Sequence, residues 1–296
     1  MHISVLLDEV IDGLDLKPGD VYLDGTAGSG GHARAVCEAL DADVKIIALD
    51  ADFDALKRTT KVVAEAGCTA ATVETNYRNL DEALDTLGIK KVDKILFDLG
   101  LSSNQLENSQ RGFSFQHDEP LLMTFADSPD EYTLTAQEIV NTWDEENIAD
   151  IIYGYGDEGF SRRIAKGIVD ARKQQPIKTT FDLVKVIEDS VPFFYKHKRI
   201  HPATKTFQAL RTTVNDEIES LKDGMRKGFE RLEPHGRLAI IAFHSKEDRI
   251  VKNYFRDMAK DGVAKLITKK PITPGSTELK NNPRARSAKL RILEKL

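Results

Sequence analysis

The sequence predicts an α/β fold: a doubly wound, mostly parallel sheet into which an all-helical domain is inserted. Strand patterns alternate with helical patterns over residues 21–98, only helical patterns follow, and strand patterns return after residue 236. Alternation of this kind predicts parallel strands, because each crossover helix packs back onto the sheet. The sheet needs its late strands, so we interpret the helical stretch as an insertion. The predicted domains are 1–105 with 205–296 for the sheet, and 106–204 for the insertion.

The elements follow in order from hydrophobic periodicity and turn residues. The first half has predicted strands at 21–24, 44–50, 69–74 and 92–98, and predicted helices at 33–40, 53–66 and 81–87. The inserted stretch has predicted helices at 135–142, 145–153, 160–173 and 181–191. A long helix over 207–232 leads to a strand at 237–243, and 288–293 alternates like an edge strand.

A glycine-rich turn after the first strand is the most informative motif. Asp24 ends that strand, and glycines at 25, 28, 30 and 31 precede a helix that begins near His32. Glycines allow a sharp turn and a close approach of the backbone to a ligand. The second strand also ends in an acid, Asp50, at the place where such sheets bind ribose hydroxyls. The half-chain therefore predicts a nucleoside site.

Two cofactors compete for this site. Gly28-x-Gly30-x-x-Ala33 satisfies the dinucleotide fingerprint, which by itself is weak support for NAD. Asp24-Gly25-Thr26 favours S-adenosylmethionine, because an acid there attracts a cationic methionine group and repels a pyrophosphate. A glycine turn without a ligand is the third alternative.

The end of the fourth strand is where we expect the chemistry. Asp98 lies at this end, which faces the reactive part of the cofactor in such sheets. A carboxylate there can accept a hydrogen bond from an amine that is to be methylated, although Asp98 also suits a turn. Attack on a pyrimidine carbon would need a thiolate, and neither Cys37 nor Cys68 is near this strand end.

Composition and charge limit the class of protein. The 296 residues carry a net charge of -6, yet residues 160–211 contain 12 Lys/Arg against 4 acids and residues 265–296 contain 9 against 2. Such asymmetry is typical of an acidic protein that binds nucleic acid, although a solvated helix face gives the same pattern. Two cysteines and an acidic start with no basic region predict a reduced, cytoplasmic protein without a signal peptide or membrane span. No metal site is expected, because the histidines lack ligand spacing.

Basic, aromatic and hydroxyl side chains near these segments are the candidate RNA contacts. They are Ser102, Ser103, Arg111, Phe113, Phe115, Arg162, Arg163, Lys198, Arg199, His201, Lys205, Arg211, His244, Arg284 and Arg286. Structural roles compete for several of them: Phe113 and Phe115 also suit a core, and Ser245-x-x-Asp248 after His244 resembles a capping box.

Several blocks in one order resemble the bacterial 16S ribosomal RNA (cytosine-N4) methyltransferases of the RsmH/MraW family, nearly end to end. The blocks are Val5-Leu6-Leu7-Asp8-Glu9, Asp24-Gly25-Thr26, Gly30-Gly31-His32, Asp98-Leu99-Gly100, Arg111-Gly112-Phe113-Ser114-Phe115, His201-Pro202-Ala203-Thr204, Phe207-Gln208-Ala209-Leu210-Arg211, Phe243-His244-Ser245 and Asn282-Pro283-Arg284-Ala285-Arg286-Ser287. The chain departs from the family at Ala27, Ser29, Leu122 and Thr124, which bears on RNA recognition rather than on the cofactor site.

The resemblance implies a Rossmann-like methyltransferase sheet, S-adenosylmethionine as cofactor, and methylation of a cytosine N4 in the decoding region of 16S ribosomal RNA within a small-subunit particle. It implies cofactor contacts from Gly30, Gly31, His32, Asp50, Tyr77, Asp98 and Gln105. Asp24 and Gly28 are predicted cofactor contacts from the strand-end charge and the glycine turn. The resemblance also implies that the inserted domain helps to bind RNA. A homodimer is compatible with the sequence.

Two other functions stay open. A non-catalytic assembly factor would keep the cofactor pocket and only bind the ribosomal subunit; Asp98 and Gln105 speak against it. An NAD-dependent oxidoreductase rests on the dinucleotide fingerprint alone.

Overall fold

The computed structural model describes residues 3–101, 105–106, 109–126 and 133–296. The strands of its sheet are β1 (Val21–Asp24), β2 (Lys45–Asp50), β3 (Ala70–Glu74), β4 (Val92–Asp98), β5 (Leu232–Ala242), β6 (Ala264–Leu266) and β7 (Lys289–Lys295). Their order is β3-β2-β1-β4-β5-β7-β6. The first five of these in spatial order pair in parallel, and β7 runs antiparallel to both of its neighbours. The predicted doubly wound, mostly parallel sheet is confirmed.

One strand prediction is wrong. The stretch 288–293 alternates like an edge strand, but β7 pairs with β5 on one side and with β6 on the other. The edge is the three-residue β6, which the sequence did not predict. Alternation reports which residues are buried, and it carries no information on how many neighbours a strand has.

Consecutive residues of the strands pack on opposite faces of the sheet. One face buries Leu23, Ile47 and Phe97 against helices that include Leu221–Phe229 and Val251–Phe255. The other face buries residues one position away in each strand, such as Tyr22, Ile46 and Leu96, against the first helices of the chain. Both faces are apolar, as expected of parallel strands between two helical layers.

The helices that pack on the sheet lie before, between and after its strands in the sequence. They are α1 (Leu7–Leu14), α2 (Gly31–Ala39), α3 (Phe53–Glu65), α4 (Leu80–Thr86), α11 (Glu217–Arg231), α12 (Ser245–Lys260) and α13 (Ser276–Asn281), with short 3₁₀ helices at Tyr77–Asn79 and Pro283–Ser287. Among the described residues, no helix is both long and apolar enough to cross a membrane.

The inserted part is helical where it is described. Its helices are α5 (Ala136–Thr142), α6 (Glu145–Gly156), α7 (Ser161–Arg172), α8 (Thr180–Ser190), α9 (Phe193–Lys196) and α10 (Ala203–Val214). They bury a core of their own, with members such as Ile152, Ile164 and Leu210. The chain divides into compact units at Met1–Gly100 with Ile218–Leu296, and Leu101–Glu217. The sequence placed these boundaries after residues 105 and 204.

The predicted helix over 207–232 is two helices, which is a second correction. Between α10 and α11, Asp216 takes a left-handed φ of 46°. The side chain of Asn215 donates to the carbonyls of Met123 and Arg211, both in the inserted unit, and accepts from the N–H of Phe125. Such side-chain hydrogen bonds to the backbone compete with those of the helix. The helix therefore ends at the residue that bonds to the backbone of Met123 and Phe125.

The two cysteines are paired, contrary to the expectation of a reduced protein. Cys37 lies in the last turn of α2 and Cys68 in the turn before β3, and a disulfide joins them across a sequence separation of 31. Their Cα atoms are 6.1 Å apart, within the range that a disulfide spans. Sequence spacing alone did not reveal that these two segments meet beside the sheet.

Reduction is expected to destabilise this protein. A cross-link over a loop of this length typically contributes about 2–4 kcal/mol, because it restricts the unfolded chain. We expect dithiothreitol to lower the free energy of unfolding of the wild type in urea, and to leave a Cys37→Ala, Cys68→Ala variant unaffected. Equal stability of the wild type with and without reductant would contradict the pairing.

Candidate active site

Acidic residues end three adjacent strands of the sheet. Asp24 ends β1, Asp50 ends β2 and Asp98 ends β4. Because β1 lies between the other two, with all three parallel, their carboxyl ends share one edge. Ligands of doubly wound sheets bind at this edge. The structure therefore brings together the three acids that the sequence singled out.

The carboxylate of Asp24 is almost fully buried, with 1% of the residue exposed. It accepts a hydrogen bond from the N–H of Thr26 at 3.1 Å and one from the hydroxyl of Tyr22 at 3.3 Å. Burial raises the pKa of Asp24 to about 6, and the neighbouring His32 and the Thr26 N–H partly offset this rise. A second positive charge near Asp24 would lower its pKa and so favour its ionised form.

Asp50 fixes the glycine loop to β2. Its Oδ2 accepts from the N–H of Gly28 at 2.8 Å, and its Oδ1 accepts from the N–H of Asp52 at 2.9 Å. Burial raises the pKa of Asp50 to about 6, against the lowering effect of these two hydrogen bonds. Each carboxylate oxygen has further lone pairs, so Asp50 can accept from ribose hydroxyls while it holds the loop.

His32 and Asp98 face each other at the centre of the edge. The Nε2 of His32 lies 3.5 Å from Oδ2 of Asp98. Neither ring nitrogen of buried His32, nor Oδ1 of Asp98, has a hydrogen-bond partner among the described residues. Burial by itself lowers the pKa of His32, but Asp98, Asp24 and Glu278 outweigh it and raise the pKa. The edge thus holds a buried imidazole with a raised pKa and a carboxylate oxygen with no hydrogen-bond partner among the described residues.

Thr26 contributes to the site, although the sequence analysis did not assign it a role. Its Oγ1 accepts a hydrogen bond of 2.6 Å from the backbone N–H of Asp98. This bond joins the loop after β1 to the end of β4, and so fixes Asp98 relative to the glycines. A threonine in a glycine-rich turn has no local signal that reveals such a distant partner.

The loop glycines serve different purposes. A Cβ on Gly30, whose φ is 79°, would lie 2.9 Å from the backbone Cα of Thr59, and one on Gly25 would lie 2.5 Å from the ring of Phe97. A Cβ on Gly31 would lie 2.1 Å from Oγ of Ser4. Among the described residues, a Cβ on Gly28 would approach only the carbonyl oxygen of Thr26, at 3.7 Å. Gly28 is thus the loop glycine with room for a ligand.

Tyr77 follows β3 in a 3₁₀ helix and packs beside the loop. Its ring centroid is 4.9 Å from that of Phe97, and its Cβ would be 3.1 Å from a Cβ on Gly25. This places an aromatic ring next to the site edge, where the resemblance implies the adenine. Gln105 is buried in the inserted unit, and its predicted cofactor contact stays a prediction.

Several candidate RNA residues pack inside the inserted unit. Phe113 and Arg111 are buried, and the Arg111 guanidinium donates to the Phe125 carbonyl at 2.6 Å. Phe115 stacks on His201 with centroids 4.8 Å apart. Arg211 forms a two-bond ion pair with Glu217, at 2.7 and 2.8 Å. Arg111 and Phe113 are thus buried within the unit, Phe115 and Arg211 are half-buried with partners there, and His201 is exposed.

The remaining candidates differ in exposure. Arg162, Arg163, Lys198, Arg199, Arg284 and Arg286 are exposed. Lys205 donates to the carbonyl of Asp157 at 2.6 Å. Ser102 and Ser103 lie outside the described residues. Thr124, one of the departures from the family pattern, is buried and accepts from the N–H of Ala126 at 3.2 Å.

The predicted capping box after β5 is shifted by one residue. His244, not Ser245, is the N-cap of α12: its Nδ1 accepts from the N–H of Glu247 at 3.3 Å, and Glu247 bonds back to the His244 N–H at 3.2 Å. Imidazole is an uncommon cap, which is why the pattern suggested the serine. This gives His244 a structural role in the sheet unit.

Comparison with known proteins decides the family. The model of the MraW methylase family matches residues 1–296. The chain belongs to this family. The predicted resemblance, the methyltransferase class and the S-adenosylmethionine cofactor are confirmed by this membership.

Curated relatives match over the full length. The chain is 43% identical to a Brevibacillus brevis protein named ribosomal RNA small subunit methyltransferase H, over 100% of this chain and 98% of that one. A Lachnospira eligens protein of the same name is 42% identical with the same coverage. A solved rRNA methylase from Streptococcus thermophilus is 13% identical with a TM-score of 0.43, over 98% of this chain and 93% of that one. A similarity this low does not contribute to the family assignment.

The two loop glycines at positive φ predict different costs of substitution. Alanine in a left-handed conformation costs about 1–2 kcal/mol at either position. Gly30→Ala adds a clash with the Thr59 backbone, worth about 1–3 kcal/mol more. We expect urea unfolding to show a larger loss of stability for Gly30→Ala than for its matched control, Gly28→Ala. Equal losses would mean that the loop does not pack on α3 as described.

Proposed function

We propose that this protein transfers a methyl group from S-adenosylmethionine to the exocyclic N4 of a cytosine in the decoding region of 16S ribosomal RNA, within a small ribosomal subunit. The names of the full-length relatives, ribosomal RNA small subunit methyltransferase H, support the class of RNA. The observation that carries the choice of atom is the buried Oδ1 of Asp98, an acceptor with no hydrogen-bond partner in the described chain.

The residues at the strand ends fit this cofactor. Asp24 is buried and Asp50 is half-buried, and their raised pKa values favour a cationic partner and hydroxyl donors. Gly28 leaves room beside them. The loop does not suit a pyrophosphate, because the N–H of Gly28 already donates to Asp50 and that of Gly30 to the Ala27 carbonyl. Phosphates bind such loops through free N–H groups, so the NAD alternative loses support.

Asp98 is the proposed catalytic residue. The bound cofactor supplies an electrophilic methyl group on a sulfonium. A cytosine amine is a weak nucleophile because its lone pair is delocalised into the ring. Asp98 accepts a hydrogen bond from the amine and turns its lone pair out of the ring plane. The N–C bond forms as the S–C bond of the sulfonium breaks, which leaves the neutral thioether S-adenosylhomocysteine. The Asp98 carboxylate takes the proton that the nitrogen then loses.

Two neighbouring groups support this role. The Thr26 hydroxyl fixes the backbone of Asp98, and His32 lies against its Oδ2. The contact with His32 orients the Asp98 carboxylate, whose side chain is partly exposed, so that it can accept from the amine. Cys37 and Cys68 are held in a disulfide, so within this chain no thiolate is ready to attack a pyrimidine carbon. This favours nitrogen over carbon as the methylated atom.

Asp50→Ala is expected to weaken cofactor binding. Hydrogen bonds to a charged group contribute about 1.5–3 kcal/mol, so the Kd should rise roughly tenfold or more. Binding by the wild type should strengthen from pH 5 to 7, because the pKa values of Asp24 and Asp50 are about 6. Once ionised, Asp24 attracts the cationic methionine group and Asp50 becomes a stronger acceptor for the ribose hydroxyls. Calorimetry measures both effects, with the exposed Asp54→Ala as control. An Asp50→Ala variant that keeps both its fold and its cofactor affinity would show that Asp50 does not bind the cofactor.

Transfer to ribosomal RNA tests the function directly. Small subunits from cells that lack this gene are incubated with the purified protein and S-adenosylmethionine, and their nucleosides are analysed by mass spectrometry. We expect N4-methylcytidine to form. Methylation of another atom, or none, would contradict the proposal, and the latter result would favour an assembly factor.

Asp98→Asn separates catalysis from binding in the same assay. The amide keeps the shape of the side chain and loses the charge and the capacity to take the proton. We expect its single-turnover rate at saturating cofactor to fall by about a hundredfold or more, while cofactor affinity changes little. A rate equal to that of the wild type would leave Asp98 with a binding role only.

A further inference from the structure

The inserted unit exposes two adjacent phenylalanines on the short helix α9. Phe193 is 77% exposed and Phe194 is 63% exposed. Large aromatic side chains are usually well buried, so two in a row on a surface require an explanation. Exposed basic residues follow them in sequence: Lys196, Lys198 and Arg199. We call Phe193, Phe194 and these three cations the α9 surface.

Contacts of Tyr195 with the rest of the inserted unit anchor the α9 surface. Tyr195 lies between the two phenylalanines and the cations, and its hydroxyl donates to the carboxylate of Glu158, which is fully buried. The ring of Phe160 packs edge-on against Tyr195, with centroids 4.8 Å apart. One residue of the helix is therefore anchored inward while its neighbours face outward. A rigid platform of this kind loses little conformational entropy when a flat ligand stacks on it.

Cations from two distant segments of the sequence lie beside the rings of Phe160 and Tyr195. The guanidinium of Arg163 lies 6.0 Å from the centroid of Phe160, and Nζ of Lys198 lies 4.7 Å from that of Tyr195. Arg163 and Lys198 are both among the predicted RNA contacts, and in the structure they lie beside one aromatic cluster. The nearby acid Asp189 is 4.0 Å from Lys196, so the surface keeps an excess of positive charge.

We propose that the α9 surface binds unpaired RNA, with bases stacked on Phe193 and Phe194 and phosphates on the surrounding cations. Exposed aromatic rings among cations are how proteins hold single strands without reading their sequence. The chain has a net charge of -6 but concentrates cations at this surface. Such a local excess favours a polyanion over a protein as the ligand. The inference rests on the proposed function, because it assigns this RNA to the same substrate.

Binding of the full-length protein to two labelled RNAs tests the inference. One is an unpaired oligoribonucleotide and the other is the same sequence in a duplex, both measured by fluorescence anisotropy. We expect Phe193→Ala, Phe194→Ala to weaken binding of the unpaired RNA by about tenfold or more, with little effect on the duplex. The salt dependence should stay as in the wild type, because the phosphate contacts remain.

Matched variants exclude general effects. Phe181 is 49% exposed in the same unit but lies beside the acids Asp118 and Asp182. We expect Phe181→Ala to bind like the wild type. Phe193→Trp, Phe194→Trp should retain binding, because tryptophan also stacks. Lys198→Ala, Arg199→Ala should weaken both RNAs and reduce the salt dependence.

Three outcomes would overturn the proposal: unpaired RNA bound equally well by the double alanine variant, equal losses for duplex and unpaired RNA, or phenylalanine-dependent binding of anionic lipid vesicles in place of RNA. Failure of the proposed function is a different result. A protein that binds unpaired RNA through Phe193 and Phe194 but makes no N4-methylcytidine would keep this inference and remove cytosine methylation.

Discussion

The crowding of carboxylates at one edge of the sheet is the constraint on which the site depends. Asp24, Asp50 and Asp98 end three neighbouring parallel strands, and the first two are buried deeply enough that their pKa values rise to about 6. Three like charges in so little water would repel one another. His32, at the start of α2, places a buried imidazole against Asp98, and its pKa rises in response. The edge is thereby suited to a cationic ligand.

The glycine loop holds this arrangement through contacts within the protein. Gly25 packs on Phe97 and Gly30 on the backbone of Thr59. With the backbone held there, the N–H of Gly28 reaches Asp50 and the hydroxyl of Thr26 reaches the N–H of Asp98. The loop therefore connects all three strand ends. Its glycines are needed mainly for packing, and only Gly28 leaves space for a ligand.

Sequence patterns predicted much of what depends on local periodicity, although α1 and α12 were not predicted. The parallel strands, their terminal acids and most helices lie within a few residues of the predicted ranges. Features that depend on distant partners were missed. Asn215 ends a helix because it bonds to Met123 and Phe125, Cys37 meets Cys68 only after folding, and the second neighbour of β7 is a strand of three residues.

The candidate site divides in the same way. The acids and the glycine turn could be read from sequence because doubly wound sheets place ligands at strand ends. The roles of Thr26 and of the exposed pair Phe193 and Phe194 could not, since each depends on which side chains the fold buries around it. Arg111 and Arg211 show the converse: their charge suggested RNA, and the structure gives each a partner in the inserted unit.

A crystal structure with S-adenosylhomocysteine and cytidine would test the central claim most directly. The account predicts ribose hydroxyls on Asp50, the sulfur at the carboxyl end of β4, and the cytidine amine within hydrogen-bond distance of the Asp98 carboxylate. A nucleoside bound away from the three strand ends, or an amine that faces a group other than Asp98, would contradict it.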